Sequence, residues 1–325
     1  MASWIVSYTE KFQVQLFMPI RNYFKVPKKH HVLINSEYER LGIVYKSSED
    51  GFYINPWMTA LNIMEDVNQV LNSNCESLSV EKKTRLLGYA NYFRSSVEYR
   101  NFKENKFAVW TYPIFYTYGL RPGWVSAPAQ GDIATLLYAA YICSGNEVYK
   151  NLFSETLISF MVPVQYGGVL AENNSYAWFE EYSQNGVNPP LVLNGHVVAC
   201  LALGKLSNYD TSAYKLFEIG VKSLKNNLQY YDAITWSYYD RMGDPSNNIY
   251  VQKLHAKLMN DLYEKTNDVF FLEYQKKFSL QLLFPFSSLQ RLILRPTLFL
   301  GCLLVLNFIS FYLVLFLIYR YAGKV

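Results

Sequence analysis

The sequence predicts a mainly α-helical chain. It reads as an (α/α) barrel or toroid of helical hairpins, with a small N-terminal β-hairpin before it and a C-terminal transmembrane helix after it. Three observations carry this. Apolar residues recur at helical spacing in paired segments separated by aromatic or glycine-rich loops, the rhythm of hairpins that deliver their loops to one end of a ring. Two short β-prone runs flank a turn signal near the N-terminus. Near the C-terminus, residues 296–318 pass without a charge. The boundaries follow: 1–56 for the N-terminal segment with its β-hairpin, 57–275 for the barrel, 276–295 for an amphipathic juxtamembrane segment and 296–318 for the membrane helix.

In order, Met1 to Val26 mixes apolar and charged residues and lacks the layout of a signal peptide. VPKKHH (26–31) reads as a basic surface turn. Ile43–Tyr45 and Phe52–Ile54 read as two strands around SSEDG, with Gly51 free to take positive φ. Pro56 opens a helix running from Trp57 to Leu71. A second helix is expected over Ser79–Asn101, then an extended stretch over Lys106–Tyr118, where Pro113 bars a helix interior. Helices follow over Asp132–Ser144 and Val148–Met161, with Gly145 and Asn146 as stop residues between them. Gly167 and Gly168 mark a turn. Helices over Asn194–Asn208, Ser212–Asn227 and Asn247–Asn267 continue the rhythm, and Tyr230–Asp240 lies between the last two as an aromatic strand or loop. Leu280–Leu294 is amphipathic enough to lie along a membrane interface. The uncharged stretch reaches roughly 34 Å as a helix, enough for a bilayer core of about 30 Å.

Composition bounds the function. The chain has 325 residues, 51% hydrophobic and 17% aromatic, with 29 tyrosines. It can bury a large core, and tyrosine suits a cleft that stacks on sugar faces while bonding their hydroxyls. A net charge of +4 is too small to argue for nucleic acid. Cys75, Cys143, Cys200 and Cys302 are scattered without a CxxC pair, so neither a disulfide framework nor a zinc site is expected and a reducing compartment fits. The histidines form no HExxH. No metal and no cofactor is expected.

The chemistry concentrates between Ala177 and Gly195. There Glu180 and Glu181 sit among Tyr176, Trp178, Phe179 and Tyr182, and a loop through Asn185 and Pro190 leads to Asn194. Carboxyl groups pressed against aromatics are costly unless paired or shifted in pKa. Three other loops add polar groups among aromatics. One holds Trp124 and Gln130, one holds Tyr239, Asp240 and Arg241, and one holds Tyr250 and His255. Asp240 and Arg241 read equally as a surface ion pair, and His255 as a satisfied core histidine.

GWVSAPAQG (123–131), WFEEYS (178–183), LVLNGHVVACLALG (191–204), WSYYD (236–240) and YVQKLHAKLMNDL (250–262) together resemble the C-terminal domain of the D-glucuronyl C5-epimerases, in order and in rough spacing. GFYINP (51–56) is similar to a Tyr-Asn-Pro segment of that family, with Ile54 just before Asn55, and this matches Tyr53. The resemblance implies epimerisation of glucuronate to iduronate within a polysaccharide. It carries a proton-transfer role to Tyr182 and Tyr239. A third family tyrosine falls near Tyr250, one residue out of place relative to His255. Glu181 is implied to hold a proton or orient Tyr182. Trp124, Gln130, Glu180, Asn194, Arg241, His255 and Tyr53 are implied to line the substrate cleft.

The implied chemistry needs acid/base groups on opposite faces of the ring and donors for an intermediate more anionic than the substrate. A tyrosine with its ordinary pKa of about 10 is a poor base. A cation about 4 Å away supplies roughly 4 kcal/mol at an effective dielectric of 20, or about three pKa units. Arg241, two residues from Tyr239, is the cation the sequence offers. The expected partner is an acidic polysaccharide or lipid-linked glycan, with the bilayer as a second surface and a homodimer left open. A polysaccharide lyase on a similar barrel, or a non-catalytic glycan-binding membrane protein, are the alternatives. Free thiols, and the excess of Lys276, Lys277, Arg291 and Arg295 over Arg320 and Lys324, place the catalytic domain on the cytoplasmic side.

Overall fold

The structure, a computed structural model, describes residues 36–48, 51–173, 176–233, 235–242, 249–283 and 298–322. The basic turn 26–31, the turn residues Glu49 and Asp50, the start expected for the helix at 247, most of the amphipathic segment 280–294 and the first two residues of the expected span lie outside them.

A short helix α1 (Ser36–Leu41) leads into strands β1 (Tyr45–Ser48) and β2 (Gly51–Ile54), which pair antiparallel. The first strand starts at Tyr45, later than its apolar run suggests, because Val44 donates its N–H to Thr59 Oγ1 at 3.1 Å instead. The helix expected over Trp57–Leu71 is two, α2 (Pro56–Leu61) and α3 (Met64–Asn72). Asn55 caps α2 through Met58 N–H at 2.9 Å. The break falls at Asn62, whose side chain turns to Gly42 O at 3.0 Å.

Helix α4 (Val80–Ser95) starts under a Ser79 cap and stops six residues short of expectation. The chain then forms β3 (Glu98–Phe102), paired antiparallel with β4 (Asn105–Val109). Arg100 explains the change of structure, donating to Gly167 O at 2.9 Å and Gly123 O at 3.1 Å, which a helix would forbid. Helices α5 (Ala127–Ser144) and α6 (Glu147–Ile158) form a hairpin, and Gly145 ends α5 with φ +65°. An unanticipated hairpin follows, β5 (Leu170–Asn173) against β6 (Tyr176–Phe179). Helices α7 (Leu193–Leu206) and α8 (Thr211–Asn227) form the next helical hairpin, and α9 (Ile249–Thr266) and α10 (Val269–Leu280) the last. Helix α10 was not separated from its surroundings in the sequence. The terminal helix α11 (Leu298–Ala322) is long and apolar enough to cross a membrane, and none of its Leu304–Tyr321 stretch is buried.

Helices α5 and α7 are buried on nearly every side, which is why their sequences are apolar all round rather than striped. They pack against each other closely; a Cβ at Gly131 would lie 2.8 Å from that of Ala202. Among the described residues, α2, α5, α7 and α9 follow one another as an inner row, with α6, α8 and α10 outside their partners.

The expectation of unbonded cysteines is corrected at one pair. Cys75 and Cys143 form a disulfide joining the turn after α3 to the end of α5. Their separation of 68 residues hid the pairing, which exists only because α3 and α5 pack side by side. Cys200 and Cys302 are free. Reduction of this bond removes a long-loop crosslink, and the loss is on the order of 2–4 kcal/mol. Denaturant titration with and without a thiol reductant measures it, with a Cys143→Ser variant expected to match the reduced protein.

Candidate active site

The site is assembled by backbone stitching between loops distant in sequence. Tyr112 N–H donates to Trp124 O at 2.9 Å, and Val125 and Ser183 exchange N–H···O bonds at 3.0 Å. Ala127 N–H, at the start of α5, donates to Glu180 O at 3.0 Å. On the other side Leu193 N–H donates to Tyr239 O, and Arg241 N–H to Pro190 O, both at 2.9 Å. The β6 strand that feeds this junction is anchored by His196. Its Nδ1 accepts from Phe179 N–H at 2.9 Å, so Nε2 carries the proton and donates to Gly220 O at 3.0 Å. Trp178 stacks on the same ring, with centroids 3.9 Å apart. Burial pushes His196 down to about 3, so it stays neutral.

The two adjacent carboxyl groups have different tasks. Glu180 is fully buried, and its oxygens accept Tyr182 N–H at 3.1 Å and Leu191 N–H at 2.8 Å. Leu191 has φ +54°, a conformation a branched side chain rarely adopts. It is held there by Glu180 and by Tyr231, whose hydroxyl donates to Leu191 O at 2.5 Å. Glu180 therefore anchors the loop from 182 to 191. Glu181 lies against the first turn of α7, where a Cβ at Gly195 would come within 2.4 Å of its side chain. Asn194 Nδ2 is 3.4 Å from its Oε2, and the Tyr182 phenol lies near enough to act on its titration. Burial outweighs these bonds and pushes Glu181 up to about 8 and Glu180 up to about 7.

The Tyr182 and Tyr239 hydroxyls are 3.2 Å apart. Around them lies a second apolar cluster, separate from the main core, built from Tyr112, Ile114, Leu120, Trp124, Tyr182 and Val192, with Tyr53, Tyr118 and Tyr239 packed on it. Trp124 stacks on Tyr112 at 3.9 Å and touches Tyr182 at 5.7 Å. Tyr116 and Tyr118 lie against Tyr182 at 5.5 and 5.4 Å. Desolvation holds the phenols of Tyr112, Tyr182 and Tyr239 well above their ordinary range, and the nearby Glu181 pushes the same way.

The structure thus brings together Tyr182, Tyr239, Glu181, Asn194, Trp124 and Tyr53. Gln130 is fully buried near the start of α5, and neither its Nε2 nor its Oε1 has a partner among the described residues. Arg241 departs from expectation. Its guanidinium lies over the Tyr230 ring at 4.3 Å. It does not pair with Asp240, which is buried and accepts the Tyr118 hydroxyl at 2.6 Å. His255 is wholly buried in a polar network with Ser237 and Gln252: Gln252 donates to Phe278 O, which orients its amide, so its Oε1 accepts from both Ser237 N–H and Ser237 Oγ. With that proton committed, His255 Nδ1 donates to Ser237 Oγ at 2.7 Å. Tyr250 is half-exposed in the first turn of α9. Tyr112, Tyr116 and Tyr118 were missed as site residues; their alternate spacing in TYPIFYTY was the available signal.

A cavity of about 660 Å³ adjoins the cluster through Tyr53 and Ile114, and Phe52, Trp110 and Phe115 supply further aromatic walls. Among the described residues, no charged side chain lines it.

A family model described as the D-glucuronyl C5-epimerase C-terminus matches residues 103–280. An uncharacterized protein of Methanocaldococcus jannaschii is 34% identical over 279 residues, covering 80% of this chain and 87% of that protein. The D-glucuronyl C5-epimerase of Caenorhabditis elegans is 27% identical over 171 residues, which is 47% of this chain but 27% of that protein.

The raised carboxyl groups have a consequence for stability. Unfolded, both glutamates titrate near 4.3, within about a unit. Folded, they keep protons that the unfolded chain has lost, so stability is greatest at the acid end and declines as pH rises from about 4 to about 8. Denaturation midpoints across that range should fall for the native chain and fall less steeply for Glu181→Gln. An identical slope in the variant would assign the dependence to other groups.

Proposed function

We propose that this chain, which belongs to the D-glucuronyl C5-epimerase C-terminal family, inverts C5 of glucuronate residues to iduronate in an acidic polysaccharide or lipid-linked glycan by two-base proton transfer. The observation that carries the reading is the Tyr182–Tyr239 hydroxyl pair, hydrogen-bonded in an aromatic cluster with the buried Glu181 beside it. Its hairpins then form the (α/α) toroid of the sequence reading, with the aromatic cavity beside Tyr53 taking neighbouring sugars of the chain.

The mechanism follows from the proton inventory. Tyr182 takes the C5 proton as its own phenolic proton passes to Glu181 in its ionised form, which burial makes a strong base and which becomes populated as pH approaches about 8. Tyr239 gives its proton to the opposite face of C5 and becomes a phenolate. The sugar enters between the two hydroxyls and breaks their mutual bond. When product leaves, that bond re-forms, and Tyr239 recovers a proton from Tyr182, which recovers its own from Glu181. Asn194, against Glu181, orients the carboxyl group. Gln130, buried with free donor and acceptor atoms, suits recognition of sugar hydroxyls.

Incubation with glucuronate-containing polymers in deuterated water tests the reading. The native chain should place deuterium at C5 and produce iduronate. Tyr182→Phe and Tyr239→Phe should each lose about 10²-fold or more in exchange while folding normally. An unsaturated product absorbing in the near ultraviolet would instead establish a lyase, and absence of exchange with retained binding would establish a glycan-binding protein.

For placement, we infer membrane anchoring through α11. The charge excess before the span favours an inward-facing domain. The Cys75–Cys143 bond removes the thiol argument for that side and favours an oxidising one, and a persistent disulfide weighs more than a margin of two charges. We therefore place the domain outside. Protease added to intact cells should then digest it, and digestion confined to inverted vesicles would reverse the assignment.

A further inference from the structure

An epimerase that draws a uronate into this cluster faces an electrostatic difficulty. The substrate brings a carboxylate, the intermediate is more anionic still, and Glu181 already stands beside the phenols. Arg241 is stacked on Tyr230, Arg121 is exposed, and His255 is held neutral by burial, which pushes it down to about 3. A cation must come from elsewhere.

The β1–β2 hairpin supplies one. Its register sets Tyr45 opposite Ile54 and Lys46 opposite Tyr53. Because successive side chains on a strand point to opposite faces, Tyr45 and Ile54 share one face and Lys46 and Tyr53 the other. The two faces have different neighbours. Tyr45 and Ile54 pack on the main core, whereas Tyr53 packs on the tyrosine cluster with Tyr182 and Tyr239. Lys46 therefore stands on the cluster's side of the hairpin. It is half-buried, and among the described residues it joins no ion pair. Desolvation lowers its pKa, as befits an ammonium group held without a carboxylate to compensate it.

We propose that Lys46 is the substrate-carboxylate receptor of this site, a specificity-determining residue that selects uronates over neutral sugars. This rests on the epimerase reading above. A lysine suits the task as a point charge on a flexible stem, able to follow the carboxylate as charge moves onto its oxygens.

The test separates this proposal from its parent. The probes are an alternating glucuronate–N-acetylhexosamine oligosaccharide and the same oligosaccharide with its carboxyl groups reduced to alcohols. Deuterium exchange by the native chain on the first probe checks the parent reading, and its absence overturns both. Affinities for both probes are then measured in the Tyr182→Phe background, which removes turnover. The parent protein should prefer the carboxylated probe by about ten- to a hundredfold, the usual worth of a charged hydrogen bond. Lys46→Met should abolish that preference while binding the reduced probe as before, which also shows that the variant is folded. Lys46→Arg should retain most of it. Undiminished preference in Lys46→Met, with exchange present in the native chain, overturns the assignment of Lys46 and leaves the epimerase reading standing. Weakened binding of both probes by Lys46→Met would make Lys46 a structural residue and overturn the proposal equally.

Discussion

Burial of two neighbouring carboxyl groups where β6 meets the first turns of α5 and α7 is the constraint from which the rest of the site follows. An isolated buried carboxylate is prohibitive, so each group must be hydrogen-bonded or protonated. Glu180 takes the first course with backbone amides on both oxygens. In doing so it fixes Leu191 in the left-handed region and thereby the path of the loop that positions Tyr182 and Val192. Glu181 takes the second course, with one amide contact and a phenol nearby, and its proton is held to about 8. One motif of two glutamates thus contains a scaffold member and a reactive member. The difference lies in what stands against them: rigid backbone in one case, a side chain with its own exchangeable proton in the other.

The supports around this junction are correspondingly severe. Gly195 has no room for a Cβ because Glu181 occupies it, and Gly168 none because Val162 O would lie 2.1 Å away. His196 is neutral in one defined tautomer, with both nitrogens used in tying β6 to α8. It lies one residue from Gly195 yet does no acid/base work, since burial keeps it unprotonated through the whole physiological range. His255 is likewise held neutral by burial, with its Nδ1 proton directed by the amide of Gln252 and the hydroxyl of Ser237. The titratable groups left for proton transfer are the phenols and Glu181.

Much of this was legible in the sequence because it depends on local spacing. WFEEY and WSYYD mark the phenols, the apolar stretches from 127 and 193 mark the buried helices, and the turn chemistry at Gly51 marks the hairpin. What was not legible depends on contacts between segments. The direction of Arg241 is decided by Tyr230, eleven positions back in a loop whose path no periodicity specifies. The pairing of Cys75 with Cys143 requires α3 to lie beside α5. The end of α4 at Ser95 is decided by Arg100 reaching two carbonyls in later loops. The role of Glu180 requires knowing that Leu191 folds back onto it. Lys46 is the same case in strand form, since a one-residue change of register would turn it to the opposite face.

The raised phenol pKa values carry the final step. Tyr182 and Tyr239 are neutral, and each can donate one hydrogen bond. A neutral phenol is the right starting state for a proton donor and the wrong one for a base. The two residues have the same side chain, so the asymmetry that assigns their roles must come from their neighbours. Tyr182 has Glu181 beside it, a carboxyl that accepts a proton once ionised, near pH 8; Tyr239 has the Tyr182 hydroxyl as its hydrogen-bonding neighbour. In the proposed epimerase reaction, abstraction would therefore fall to Tyr182 and donation to Tyr239 in the direction from glucuronate to iduronate. The reverse reaction requires the same chain of bonds run backwards, with the proton shifted along it by one place. A hydrogen-bonded phenol pair ending in a single carboxyl group can populate both protonation patterns without a second buried charge. That is a physical reason for the two hydroxyls to stand 3.2 Å apart.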